Sequence, residues 1–176
     1  IRSDTSTAHT HMYIARLWSV RHASSFNRLY GVIERYIRWL RPLVRAIGPA
    51  RAETALRPIE SLSKALLFDC RMCGQCVLSS TGMACPMNCA KQMRNGPCGG
   101  VRADGGCEVD PDMRCVWVEA TAGGQRIAGK GAVAPCLPPL PPLDHTRAGQ
   151  SSWLKVINGL PTVEPIARFS EDDVID

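Results

Sequence analysis

A chain of 176 residues has room for one domain, or for one small domain with long extensions. Its composition, 45% hydrophobic and 21% charged, is that of a folded soluble chain rather than a disordered one, and no apolar run nears the roughly 18 residues of a membrane span. The net charge of +5 is unevenly spread: residues 1–69 hold eleven Lys/Arg against five Asp/Glu, residues 70–118 are near balance, and the stretch from 119 holds seven acids against five bases.

The N-terminal stretch "IRSDTSTAHTHMYIARLW" has no uninterrupted apolar segment and no small-residue cleavage site, so no secretory signal is expected and the cytoplasm is the expected compartment. The sequence begins at Ile1 rather than at methionine. Next, "SSFNRLYGVIERYIRWLRPLVRAIG" places Phe26, Leu29, Tyr30, Ile33, Tyr36, Ile37, Leu40, Leu43, Val44 and Ile47 at steps that build one apolar helix stripe, with Arg35, Arg38, Arg41 and Arg45 mostly off it. Ser24 or Ser25 is expected to cap the start, Pro42 to kink or restart the helix, and Gly48-Pro49 to end it. A second short helix, "RPIESLSKALLF", is expected to start at its proline and to run into Cys70. The stripe can cover the chain's own core, meet a partner subunit or lie on a membrane, in that order of preference. The basic charge suits a solvated face or an acidic partner; no fold signature for nucleic acid accompanies it, so no nucleic-acid partner is expected.

Residues 1–59 thus read as a helical basic extension, residues 60–118 as a cysteine-rich module of loops with one or two helical turns, and residues 119–176 as an extended Pro-rich tail. In that tail "PCLPPLPPLDH" favours polyproline II and "SSWLKVINGL" reads as a short strand or helix that docks back. The fold class expected is a small α-plus-irregular protein organised by metal. There is no internal repeat, Ser/His/Asp set, phosphate loop or dinucleotide fingerprint.

Nine cysteines carry the chemistry, eight of them within 46 residues. Disulfides need an oxidising compartment, and the Cys70, Cys73, Cys76 spacing closes awkwardly small loops. Zinc ordinarily takes two separated C-x2-C knuckles, although eight thiolates would suffice for two ions. An iron–sulfur cluster fits the spacing better: C-x2-C-x2-C lets three thiolates cap three irons, with the fourth ligand from elsewhere. Cys85 is followed by Pro86, as after the last ligand of ferredoxin runs, but at a different spacing. Eight thiolates suffice for two [4Fe-4S] clusters, or for one cluster plus zinc. Gly96, Gly99 and Gly100 around Cys98 are candidate cofactor-contacting positions, where backbone N–H groups come close enough to donate to sulfur. Trp117 reads as a cover over the site or simply as core. Cys136, inside the proline run, reads as a free thiol, and none of His9, His11, His22 and His145 sits at ligand spacing from the module.

The run "KALLFDCRMCGQCVLSSTGMACPMNCAKQMRNGPCGG", followed by "GGCEV" and "CVW", resembles the methylenetetrahydrofolate reductase C-terminal (MetV-type) family over about residues 60–117. That resemblance implies an iron–sulfur electron-transfer subunit in one-carbon metabolism, itself non-catalytic, with Cys70, Cys73, Cys76, Cys85, Cys89, Cys98, Cys107 and Cys115 as metal ligands. It implies as partners an FMN-containing methylenetetrahydrofolate reductase subunit and a ferredoxin-like donor. A structural zinc module that scaffolds the reductase is the alternative. An FMN barrel needs roughly 250 residues, so none is expected within these 176, and the resemblance implies that the flavin site lies in another polypeptide.

Overall fold

The structure, a computed structural model, describes residues 4–129, 137 and 139–159. Six α-helices and three 3-10 turns are present among them, with no named strand. The helices are α1 (Asp4–Arg21), α2 (Ala23–Trp39), α3 (Arg41–Ile47), α4 (Pro49–Phe68), α5 (Val116–Ala128) and α6 (Ser152–Asn158). The 3-10 turns, Leu78–Ser80, Pro86–Asn88 and His145–Arg147, lie in the loops. The mostly helical, otherwise irregular fold is as expected. No helix among the described residues is long and apolar enough to cross a membrane.

Several boundaries differ from the sequence reading. α2 starts at Ala23 without a side-chain cap, and the Ser24 hydroxyl instead donates 2.8 Å to the Arg126 carbonyl, tying α2 to α5. Pro42 restarts the helix after a one-residue break at Leu40, since a proline costs nothing in a first turn where its N–H would be unpaired. Gly48 ends α3, but α4 begins at Pro49 rather than near Arg57, and Pro58 lies inside it. The intervening "RAETALR" is rich in strong helix formers, which carry the helix through that proline. Helix α5 crosses the expected segment border, so residues 119–128 are helical rather than extended. "SSWLKVINGL" forms α6, capped by the Ser151 hydroxyl, which accepts from the Leu154 N–H at 3.3 Å. Cys136, with Pro135 and Pro138 of the proline run, lies outside the described residues.

The apolar stripe divides in two. Ile37 and Val44 are buried with Ala52, Leu154 and Ile157, joining α2, α3, α4 and α6, and Ile33 packs against them. Phe26 and Tyr30 pack on Phe68, Leu78 and Met83. Leu29, Tyr36, Leu43 and Ile47 of the stripe stay exposed, and so do Val32 and Trp39 beside it, Trp39 at 72%. Ten apolar positions cover a wider arc than one helix can bury against its neighbours. Ile59, Leu62 and Leu66 form a second exposed row on α4.

A third cluster, with Val20, Val77, Ala84, Cys115, Trp117, Ala120 and Leu140, fixes α5 on the cysteine loops. The contact is close because glycines face each other. A Cβ on Gly82, whose φ is +58°, would run into the backbone of Ala120 and Gly124, and one on Gly123 into Gly82. Gly82→Ala should therefore destabilise the protein by about 1–3 kcal/mol. Gly31→Ala, in exposed α2 with nothing within 4 Å of the new methyl, should stabilise it by about 0.5–1 kcal/mol. Urea denaturation of the two variants checks the opposite signs.

Candidate metal centre

Helix α4 stops at Asp69 in the left-handed conformation, with φ +51°, and the chain turns straight into the C-x2-C-x2-C loop. Two further positive φ values, +48° at Met72 and +70° at Gly74, coil the loop tightly. The tail holds it in place. The Met72 carbonyl accepts 2.7 Å from the Gly149 N–H, the Gly74 carbonyl 2.5 Å from Lys155 Nζ, and the Gln75 side chain donates 3.1 Å to the Asp144 carbonyl. A Cβ on Gly74 would strike the Arg147 carbonyl, so this position is closed to other residues. Cys85 follows the turn closed by Thr81, whose hydroxyl lies 2.6 Å from the Ala84 carbonyl. Asn88, just beyond, donates 2.9 Å to the Phe68 carbonyl and ties this strand of loop to the end of α4.

As a result Cys70, Cys73, Cys76 and Cys85 line one cavity. Burial pushes the Cys70 thiol up to about 11, against the pull of the Met72 N–H and the Lys64 charge, with Cys76 and Cys73 adding to the rise. Burial pushes Cys85 higher still, and the charges of Cys70, Cys76 and Cys73 act in the same direction. The four sulfurs thus repel one another when ionised, and any cation that they bind displaces their protons. The Tyr30 hydroxyl lies 3.4 Å from Cys76 Sγ.

Two basic side chains line the same cavity. Lys64 is 3% exposed and Glu60 1%. Lys64 Nζ donates 2.6 Å to Glu60 Oε1 and 2.7 Å to Ser152 Oγ, and lies over the rings of Tyr30 and Trp153 at 5.7 and 5.4 Å. Burial alone would raise Glu60; Lys64 and the hydroxyls of Ser151 and Ser152 outweigh it and hold the carboxyl below its usual range. Arg94 is the second basic group. Its Nε donates 2.7 Å to the Pro141 carbonyl, while Nη1 and Nη2 are buried with no hydrogen-bond partner among the described residues. Sequence reasoning missed all three. Glu60 and Lys64 at i,i+4 look like an exposed helix pair, and Arg94 has no ligand spacing; its only signal is its place in the "RNGPCGG" motif.

The other four cysteines are not gathered in this way. Cys89 is half-buried, just past the Pro86–Asn88 turn. Cys98 is exposed, 3.8 Å from a Glu108 oxygen that also pairs with Lys91. Cys107 pairs with Val101 in an isolated antiparallel bridge, and its N–H donates 2.8 Å to the Met113 carbonyl. Cys115 is buried, and its N–H donates 2.9 Å to the Gly105 carbonyl. Gly96 and Gly99 have φ of +90° and +81°; a Cβ on either meets nothing within 4 Å, and one on Gly100 meets the Glu108 carboxylate. Trp117 is in the core, and its Nε1 donates 3.2 Å to the Met93 carbonyl. Among the described residues, no three Cys, His, Asp or Glu side chains are drawn tightly enough together to hold a single metal ion.

Fold and site together define a small helical protein wrapped on a cysteine-lined loop cavity. Residues 50–140, just over half the chain and including all eight clustered cysteines, match the family described as methylene-tetrahydrofolate reductase C terminal, and the chain belongs to that family. No curated protein and no solved structure matches it.

The buried pair should dominate local stability. Lys64→Met leaves Glu60 charged and unpaired, and should cost about 3–5 kcal/mol in urea denaturation. Replacing both partners, Glu60→Leu with Lys64→Met, should recover only part of that loss, because the Ser151 and Ser152 hydroxyls then lose their acceptor.

Proposed function

We propose that this chain is the iron–sulfur accessory subunit of a flavin-dependent methylenetetrahydrofolate reductase. In this reading Cys70, Cys73, Cys76 and Cys85 hold a [4Fe-4S] cluster. The observation that carries the reading is the convergence of these four thiols on one cavity in a member of this family. The donor set fits such a cluster in number and in softness. Positive charge at the cavity wall also suits a group whose four thiolates leave it anionic. Cys89, Cys98, Cys107 and Cys115 are proposed to bind a second cluster, or zinc, on the strength of the family resemblance, with Gly96, Gly99 and Gly100 close to Cys98.

When bound, the cluster supplies one-electron transfer between a donor of the ferredoxin type and the FMN of the partner. The chain's own residues do the rest. The loop from 70 to 76 sets the ligand positions, the segment from 140 to 155 clamps that loop, and Phe68, Val77 and Leu78 keep the cavity apolar. Docking onto the reductase is assigned to the exposed row Leu29, Val32, Tyr36, Trp39 and Leu43. The exposed arginines Arg28, Arg35, Arg38, Arg41 and Arg45 around it call for an acidic counterpart on the partner.

Metal analysis of anaerobically purified protein tests this. The intact chain should contain iron and acid-labile sulfide; zinc alone would leave only a scaffold. Cys73→Ser should remove about half of the iron if two clusters are present, or all of it if there is one, whereas Cys136→Ser should leave the content unchanged. Equal losses in both variants would contradict the ligand set. Trp39→Glu should weaken binding to the co-expressed flavoprotein about tenfold or more without changing metal content, as expected of an aromatic anchor.

A further inference from the structure

Arg94 is held more firmly than a loop arginine needs to be. On one side of it the Met93 carbonyl accepts the Trp117 indole N–H at 3.2 Å. On the other, Asn95 clasps Leu140 twice, donating from Nδ2 to its carbonyl at 2.9 Å and accepting its N–H on Oδ1 at 2.6 Å. The guanidinium itself is fixed by the bond from Nε to the Pro141 carbonyl at 2.7 Å. This scaffold leaves Nη1 and Nη2 buried and without a partner among the described residues, on a side chain that lines the cavity of Cys70, Cys73, Cys76 and Cys85. A guanidinium keeps its charge at any ordinary pH, and burying its donors unfilled is costly. Lys64, the other cation at this cavity, already has Glu60 and Ser152 as partners. Arg94 is thus the basic side chain at this cavity whose terminal donors are still open.

We propose that Arg94 is a positioning residue for the group held in this cavity: its Nη donors bond to the sulfur atoms of the bound cluster and set its reduction potential. The inference rests on the iron–sulfur reading above. Hydrogen bonds to sulfur and nearby positive charge both favour the reduced, more negative state of a cluster, and so raise its potential. Arg94 therefore acts on the group that carries electrons, not on substrate.

The test is an anaerobic redox titration of the full chain, followed by electron paramagnetic resonance, on the signal that Cys73→Ser removes. Arg94→Met should bind the same iron and sulfide as the parent, with that signal's midpoint potential shifted to a more negative value. Arg94→Lys, which keeps the charge but loses the planar fork, should fall in between. Arg102→Met, at an exposed arginine bonded to the Pro111 carbonyl, should leave the potential where it was. Should Arg94→Met load too little cluster to titrate, Arg94→Gln is read in its place, with the same expected direction. An unshifted potential in the Met or Gln variant, or an equal shift from Arg102→Met, overturns this inference and leaves the cluster reading standing. A parent protein without iron and sulfide overturns both.

Discussion

The buried pair of Glu60 and Lys64 is the interaction on which the arrangement turns. Two ionised groups almost free of solvent exposure are tolerable only when fully satisfied. Here Glu60 accepts from Lys64, from both hydroxyls at the start of α6, and from the Ser152 N–H at 3.2 Å. The pair therefore does more than join two turns of α4. It fixes the N-terminus of α6 against α4, and α6 in turn presents Lys155 to the Gly74 carbonyl in the cysteine loop. Remove that anchor and the loop that aims three thiols loses its outer wall.

Seen this way, the thiols are organised from outside. Three segments meet at the cavity: the end of α4 with the loop after it, the 85–94 stretch that follows, and, from far along the chain, the tail from 140 to 155. Little of the cavity wall is regular structure, so its precision depends on backbone bonds between loops, on the close contact at Gly74 and on the seating of α5 at Gly82 and Gly123. A bound inorganic group would add cross-links where packing is thin, as expected for a small module with few aromatic residues.

Much of this was legible in the sequence. The helical N-terminal third, the irregular cysteine module, the restart at Pro42 and the docking of "SSWLKVINGL" follow from periodicity and from proline and glycine chemistry, whereas the cap expected at Ser24 or Ser25 does not form. The grouping of Cys70, Cys73 and Cys76 with Cys85 was only half legible: spacing predicted the first three, while the fourth depended on how the 78–84 turn folds back. Wider features were not legible at all. A Glu–Lys pair at i,i+4 looks the same whether exposed or buried, and only the arrival of Ser151 and Ser152, some ninety residues later, decides which. Arg94 was hidden for the same reason, since its surroundings come from Trp117 and Pro141. The start of α4 was misread because Gly48-Pro49 is both a stop for one helix and a start for the next.

The most direct measurement is low-temperature electron paramagnetic resonance of the protein isolated without exposure to air, before and after reduction. The account predicts a silent oxidised protein with broad visible absorption, and a fast-relaxing signal of a reduced [4Fe-4S] cluster that disappears in Cys73→Ser. A colourless protein with no signal in either state would contradict it.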